Sequence, residues 1–144
     1  MHVHDIMTKN PVTVHQNKTL RRALELMDSV GCHHLPVIDD ENHLMGILSD
    51  RDCRKALNSP QVTREHWETA AVIDNIRVRD LMTPGPIIIE PTATAREAAR
   101  LMLTHHISCL PVMRSETIVG IITTSDIMMA FLREPSQRRE NGHG

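Results

Sequence analysis

The sequence predicts a mixed α/β (α+β) fold made of two β-α-β-β-α repeats, and two observations predict it. The first is self-similarity, because residues of the first half recur in the second half 75 positions later, and 74 positions later after a one-residue gap in a loop. The second is that apolar residues at helical spacing alternate with short β-branched runs in both halves. The matched positions include Val3 with Val78, Asp5 with Asp80, Met7 with Met82, Leu35-Pro36-Val37 with Leu110-Pro111-Val112, and Gly46-Ile47 with Gly120-Ile121.

The first copy predicts its elements in a clear order. A helical turn at residues 5–8 precedes a brief strand at 11–14. Thr19 is the predicted N-cap of a helix that Gly31 ends, since a Thr hydroxyl accepts from an orphan amide and Gly suits a left-handed C-terminus. Strands at 35–38 and 44–48 follow around a polar turn. Ser49 then caps the last helix, with acidic residues at 50 and 52 in its first turn.

The second copy repeats this order, with a strand at 86–89, a helix capped by Thr94, a hairpin of 109–113 with 118–122, and a helix from Thr123 to about Leu132. We assign residues 1–60 to the first repeat, 61–76 to a linker helix, 77–134 to the second repeat and 135–144 to a disordered tail. One copy is too small to bury both faces of its sheet. We therefore expect the two copies to pack sheet to sheet about a pseudo-two-fold axis.

Composition excludes several classes of function. The formal net charge is -2, so neither nucleic acid nor an anionic membrane should attract the protein. One Trp, one Phe and no Tyr leave almost no aromatic surface on which nucleobases could stack. Three irregularly spaced cysteines (Cys32, Cys53 and Cys109) do not form a disulfide framework. No segment has the character of a signal peptide or a membrane span, and we expect a cytoplasmic protein.

The motifs, in their order and duplication, resemble a tandem cystathionine-β-synthase (CBS) domain pair, also called a Bateman module. The long linker after the Asp-Arg-Asp of the first copy is similar to that of stand-alone bacterial pairs of the acetoin-utilisation type. The resemblance implies a regulatory, ligand-sensing module without catalytic activity. It is carried by Asp5-Ile6-Met7-Thr8, Leu35-Pro36-Val37 and Gly46-Ile47-Leu48-Ser49-Asp50-Arg51-Asp52, and by Asp80-Leu81-Met82-Thr83, Leu110-Pro111-Val112 and Gly120-Ile121-Ile122-Thr123-Thr124-Ser125-Asp126.

The Gly-x-x-Ser/Thr-x-x-Asp segment of each copy has a physical interpretation of its own. A helix that begins at Ser49 or Thr123 presents free amides and a partial positive charge to a phosphate. An Asp three residues later can accept the hydroxyls of a ribose, as acidic residues do in dinucleotide sites. The same spacing is also an ordinary helix-start signature, and on spacing alone the helix cap is favoured. The family resemblance reverses that preference.

By position, the resemblance implies two adenosine-nucleotide sites (AMP, ADP or ATP) between the copies, and the residues of one site should differ in charge from those of the other. Arg51 corresponds to the uncharged Ser125 of the second copy, and its charge should strengthen polyphosphate binding at one site. His33 and His34 should make binding at the other site pH-dependent. The first site would contain Ile121, Thr123, Ser125, Asp126, Thr8, Thr13, Cys32 and His33. The second would contain Ile47, Ser49, Arg51, Asp52, Thr83, Ile88, Ile107 and Ser108.

Three other functions stay open. A dimeric scaffold with empty clefts is the strongest of them. Its four short apolar helices have more apolar surface than one monomer needs to bury, and related modules form homodimers. Cys32-His33-His34 and His105-His106-Cys109 would suit zinc, although no spacing fixes a geometry, and we assign no metal ligands. Cys109 with His105 or His106 could be a nucleophile and base, but nothing supplies an oxyanion hole. Any regulatory output must pass to an effector protein that the sequence does not identify.

Overall fold

The structure is a computed structural model that describes residues 1–58, 71 and 73–133. It confirms a mixed α+β fold with helices and two sheets. In chain order the elements are α1 (Val3–Ile6), β1 (Thr8–Lys9), β2 (Val14–His15), α2 (Leu20–Val30), β3 (His34–Ile38), β4 (Leu44–Ser49), α3 (Asp50–Leu57), α4 (Val78–Leu81), β5 (Thr83–Pro84), α5 (Ala95–His105), β6 (Cys109–Arg114), β7 (Thr117–Thr123) and α6 (Thr124–Leu132).

The chain divides into two compact units that do not follow the sequence repeats. Unit 1 combines Met1–Asn10 with the described residues from Ile87 onward, and unit 2 is Pro11–Pro86. The opening segment of each repeat therefore completes the unit that contains the rest of the other repeat. Unit 1 holds a three-stranded sheet in the order β1-β7-β6, and unit 2 holds a four-stranded sheet in the order β2-β3-β4-β5.

Each unit has its own aliphatic core, in keeping with the near absence of aromatic residues. In unit 2 the side chains of Leu20, Leu35 and Leu48 are fully buried between the sheet and its helices. In unit 1 Val3 and Ile122 are fully buried in the same way. Burial of such side chains stabilises the fold by about 1.5–3 kcal/mol each.

Three predicted elements have different bounds in the structure. The first helical turn begins earlier, at Val3, and Thr8 is in strand β1 instead of the turn. The strand predicted at 11–14 is restricted to β2, and of the strand predicted at 86–89 only Ile89 pairs, with Val112. Pro11 and Pro86 have no N–H to donate to a ladder, which shortens both strands.

The linker helix predicted at 61–76 is only partly within the described residues. Residues 71 and 73–75 are helical, and Ile73 packs against the core of unit 2. Residue 76 is not helical, so the helix ends one residue earlier than predicted. Residues 61–70 and 72 of the predicted helix, and the tail predicted at 135–144, lie outside the described residues. Within the described ranges, no helix combines the length and the apolar character that crossing a membrane requires.

Candidate ligand-binding sites

The junction between β4 and α3 is a closed capping box. The Ser49 Oγ accepts from the Asp52 amide at 3.1 Å, and the Ser49 amide donates to the Asp52 Oδ2 at 3.1 Å. This reciprocal pair satisfies two amides at the helix start. The helix-start role that the spacing indicated is therefore present in the first copy.

The junction between β7 and α6 has the same arrangement. The Thr123 amide donates to the Asp126 Oδ2 at 2.9 Å, and the Asp126 amide donates to the Thr123 Oγ1 at 3.4 Å. The Thr123 hydroxyl also donates to that Oδ2 at 3.2 Å. In both capping boxes the cap bonds use Oδ2 of the aspartate, so capping does not occupy the other carboxylate oxygen and is compatible with ligand binding.

A short edge strand brings a threonine beside each junction. Thr8 lies opposite Ile121 on β7, and Thr83 lies opposite Ile47 on β4. Both threonines are exposed. The close approach of the strands requires glycine in the ladder, since a Cβ at Gly46 would stand 2.6 Å from the Thr83 carbonyl oxygen. Gly120 has the same role beside Thr8.

Unit 2 surrounds its junction with charged groups. The Asp50 amide donates to the His33 carbonyl oxygen at 2.8 Å, and Arg54 Nη2 lies 3.2 Å from the Asp50 Oδ2. The Arg51 side chain is exposed. An open cavity of about 610 Å³ adjoins this region and is lined by Leu24, Met27, Asp28, Gly31, Cys32, His33 and Asp50. The sequence placed Asp50 in the first turn of the helix, where it favours the helix dipole, and in the structure Asp50 also lines this cavity.

Unit 1 has a less charged surrounding. The Thr124 amide donates to the Ser108 carbonyl oxygen at 3.0 Å, which is the counterpart of the Asp50–His33 bond. Thr124 and Ser125 carry no charge where unit 2 has Asp50 and Arg51. The two junctions therefore share their backbone geometry and differ in electrostatics.

The predicted site residues are distributed over both units. Unit 1 brings together Thr8, Ile121, Thr123, Ser125 and Asp126, and unit 2 brings together Ile47, Ser49, Arg51, Asp52 and Thr83. Each of these groups comes from one of the two predicted sites. The membership of the other six residues stays a prediction: Thr13, Cys32 and His33 of unit 2, and Ile88, Ile107 and Ser108 of unit 1.

The cysteines lack the properties of nucleophiles. All three are free. Burial, aided by the charge of Asp126, raises the pKa of the Cys109 thiol to about 12, and burial raises that of Cys53 to about 11. Both thiols are therefore protonated at neutral pH, while the attacking species is the thiolate. His105 and His106 are exposed, whereas Cys109 is buried in β6.

The zinc sets considered from the sequence are not assembled in the described part of the chain. Neither Cys32-His33-His34 nor His105-His106-Cys109 brings three ligand atoms together there. His105 and His106 lie at the end of α5, where consecutive side chains diverge. One group that was not predicted from the sequence does converge, namely His2, His4 and Asp5.

Comparison with known proteins identifies the family. The model of the CBS domain matches the chain twice, over residues 3–59 and 78–133. The chain is 32% identical over 132 residues to a CBS domain-containing protein of Dictyostelium discoideum, and the match covers 91% of each chain. The chain therefore belongs to the CBS domain family, and the resemblance to a tandem CBS pair is confirmed.

Solved CBS pairs share this fold. A protein assigned to acetoin utilization (AcuB) from Vibrio cholerae has a TM-score of 0.76 at 30% identity, over 97% of this chain and 96% of its own. CBSX2 of Arabidopsis thaliana, solved in complex with AMP, has a TM-score of 0.73 at 31% identity, over 92% and 96%. The CBS pair of MJ0100, solved with 5′-methylthioadenosine and S-adenosyl-L-methionine, has a TM-score of 0.79 at 27% identity, over 93% and 98%. These likenesses support a ligand-binding regulatory module.

Some relatives are much longer enzymes. The chain is 32% identical over 126 residues to a homoserine O-acetyltransferase of Methanococcus vannielii, but it spans only 24% of that protein. The matched segment is thus one part of a larger chain in that relative.

Proposed function

Because the chain belongs to the CBS domain family, we propose that it is a regulatory module that senses adenosine nucleotides and has no catalytic activity of its own. The observation that carries this proposal is the pair of equivalent strand-to-helix junctions at Ser49–Asp52 and Thr123–Asp126. Each offers a carboxylate oxygen that the helix cap does not use, beside an exposed threonine.

Each junction can hold one nucleotide by the chemistry of its parts. The free carboxylate oxygen of Asp52 or Asp126 accepts from the ribose hydroxyls. The amide of Arg51 or Ser125, which the bonds at the helix start do not use, and the threonine hydroxyl of the edge strand donate to phosphate oxygens. The apolar side chains of Ile47 and Ile121, whose strands end at these junctions, pack against adenine, which needs no aromatic partner.

The proposed ligand is AMP, ADP or ATP. The molecules found in CBSX2 and in the MJ0100 pair share an adenosine group, and a ribose–adenine unit is what the two junctions are equipped to hold. The further contacts proposed from the family pattern are Thr13, Cys32 and His33 for the nucleotide at Asp126, and Ile88, Ile107 and Ser108 for the nucleotide at Asp52.

Calorimetric titration with AMP, ADP and ATP tests this proposal. The variants Asp52→Ala and Asp126→Ala should each lose one of two binding events. Each also loses the carboxylate half of its capping box, so a third variant, Glu97→Ala, removes the equivalent half in α5, where Glu97 Oε2 accepts from the Thr94 amide at 3.3 Å. Glu97→Ala should lose stability and keep both binding events.

Two further variants separate the ribose contact from the cap. Asp52→Glu and Asp126→Glu retain a residue that closes a capping box but displace the carboxylate by one methylene. They should keep their melting temperature and lose affinity. Unchanged stoichiometry and affinity in all four site variants would refute the nucleotide proposal.

We also propose that the protein forms a homodimer in the cytoplasm and passes its signal to a separate effector protein. Several large apolar side chains on α5 and α6 are exposed, most of all Leu103 at 77%, Leu132 at 72% and Met128 at 67%. Exposed apolar side chains grouped on neighbouring elements are typical of an interaction surface. Three free cysteines fit a reducing compartment.

These exposed residues also favour the alternative, a dimeric scaffold without ligand. Two measurements separate dimer formation from ligand binding. Sedimentation of the wild type and of Leu132→Lys tests the dimer, and a thermal-shift series with nucleotide tests the ligand. A dimer that dissociates in the variant supports the interface. A thermal shift that grows with nucleotide concentration, as mass action requires of a ligand that binds the folded state, supports the sensor over the scaffold.

A further inference from the structure

We propose that His2, His4 and Asp5 of unit 1 form a binding site for a divalent transition-metal ion of the zinc type. One ligand atom from each residue lies within 4.8 Å of the other two. The His4 Nδ1 is 3.2 Å from one carboxylate oxygen of Asp5, and the His2 Nδ1 is 3.9 Å from the other. Ligands at about 2.0–2.1 Å from a tetrahedral zinc ion are roughly 3.3 Å apart, close to these separations.

The two imidazole rings are arranged in parallel. Their centroids are 5.4 Å apart and their planes differ by 2°. The Nδ1 atoms of both rings lie near the same carboxylate. Because an ion lies in the plane of each imidazole that binds it, one ring must rotate out of the parallel arrangement for both nitrogens and one oxygen to bind a single ion. Two neutral imidazoles and a carboxylate suit zinc, copper or nickel, whereas Mg²⁺ and Ca²⁺ favour oxygen ligands.

The backbone beneath the cluster is held in place. The Val3 amide donates to the Ala93 carbonyl oxygen at 2.8 Å, and the His4 amide donates to that of Pro91 at 3.0 Å. The Val3 side chain, between the two histidines in sequence, is fully buried in the core of unit 1. Ordering the ligands therefore costs side-chain rotation only, which favours binding.

The second copy shows that this scaffold does not need histidine. The counterparts of His2, His4 and Asp5 are Arg77, Arg79 and Asp80. The Arg77 amide donates to the Asp80 Oδ2 at 3.1 Å, as the His2 amide donates to the Asp5 Oδ2 at 2.9 Å.

The arginines of the second copy have a contact that can explain their presence. Arg77 Nη1 donates to the Asn17 carbonyl oxygen at 3.2 Å, and Arg79 Nη1 donates to the Asn17 Oδ1 at 2.7 Å. Among the described residues, the ion pairs of the His2 and His4 rings involve only Asp5. The histidine pair is therefore specific to the first copy, while the backbone bond to the aspartate is common to both copies.

Titration with Zn²⁺ alone, in protein without an affinity tag, tests this site. The double variant His2→Arg/His4→Arg installs the residues of the second copy on an equivalent backbone, so it should fold. It should lose one zinc-binding event or bind at least about tenfold more weakly, the lower limit seen even when outer-shell partners of a metal are removed. The matched control is His43→Arg, since His43 is 47% exposed like His4 and its Nδ1 also lies 3.2 Å from an aspartate oxygen, that of Asp39.

The control should bind zinc as the wild type does. In the wild type, the ring nitrogen resonances of His2 and His4 should shift with the first equivalent of zinc, which locates the ion. Equal zinc binding by the wild type and by His2→Arg/His4→Arg would overturn the proposal. So would a first equivalent that shifts other histidines and leaves these two unchanged. Neither result depends on nucleotide binding, so this site and the proposed function fail separately.

Discussion

Unit 2 and unit 1 contain the same strand-to-helix junction in different electrostatic surroundings. Both have a Ser or Thr that closes a capping box with an Asp, and both place a threonine of an edge strand alongside. Asp50 and Arg51 stand at the junction of unit 2, where unit 1 has Thr124 and Ser125. The shared part is what the architecture needs, and the charged part is where the two junctions can differ in ligand preference.

The largest expected effect tests the shared part. Gly46→Ala and Gly120→Ala each force a Cβ against the carbonyl oxygen of the adjoining edge strand. Each should lower the free energy of unfolding by about 1–3 kcal/mol, as overpacking does. Urea denaturation measures both.

Gly31→Asn is the control for this comparison, because Gly31 has a φ of 75° and a Cβ added there would meet no heavy atom within 4 Å. Asn tolerates that backbone conformation, and the variant should lose less than about 1 kcal/mol. A large loss in only one of the two ladder glycines would show that the junctions are not equivalent.

The next effect separates the cap from the ligand. Ser49→Ala and Thr123→Ala should each cost about 1 kcal/mol of stability through the lost N-cap, and each should weaken nucleotide binding at its own junction. Thr94→Ala should have the same cost without any effect on binding, since Thr94 caps a helix outside the candidate sites. If all three variants bind nucleotide equally, the junctions act only as helix starts.

A smaller effect tests the charge difference directly. Arg51→Ser should weaken ATP more than AMP at the junction of unit 2, and Ser125→Arg should strengthen ATP at the junction of unit 1. An exposed charge pair contributes at most about 1 kcal/mol, or roughly fivefold in affinity. Calorimetry at low and high salt measures it, and an ATP-to-AMP ratio that neither exchange alters would exclude a role of Arg51 in ligand preference.

The smallest effect concerns acid stability and is confined to unit 2. Burial, and then the charge of neighbouring His33, lowers the pKa of His34 below 6.5. The folded state therefore binds fewer protons than the unfolded chain, and the free energy of unfolding should fall as the pH drops through about 6.5.

Denaturation of His34→Gln at pH 7.5 and 5.5 measures this contribution. The variant should lose less stability than the wild type on acidification, and His33→Gln, which removes only the smaller cause of the lowered His34 pKa, should lie between the two. The position equivalent to His34 in the second copy is Cys109, so unit 1 has a thiol in place of this imidazole. If His34→Gln and the wild type lose the same stability on acidification, a group other than His34 is responsible for that loss.

The sequence predicted the caps and the hairpins well because these features are local. Thr19, Ser49, Thr94 and Thr123 each accept from the amide three residues on, as the spacing indicated. The segment exchange between repeats could not be predicted in this way, since it depends on which sheet edge a two-residue strand joins. Nothing in the residues of β1 or β5 specifies that edge.

The candidate sites were predictable only in part for the same reason. Ser49 with Asp52, and Thr123 with Asp126, are pairs close in sequence, whereas only the family resemblance placed Thr8 with Ile121, which it reaches through the exchanged strand. The His2, His4 and Asp5 cluster was open to prediction from its His-x-His-Asp pattern. Its significance emerged from the contrast with the arginines of the second copy.

The most direct test of the central claim is an AMP titration followed through isoleucine methyl resonances, assigned with Ile47→Val and Ile121→Val. The methyls of Ile47 and Ile121 should shift in a saturable manner. Those of Ile73 and Ile118, one in each unit and outside the candidate sites, should stay unchanged. If the methyl resonances of both Ile47 and Ile121 stay unchanged at saturating AMP, the assignment of the two junctions as nucleotide sites is contradicted.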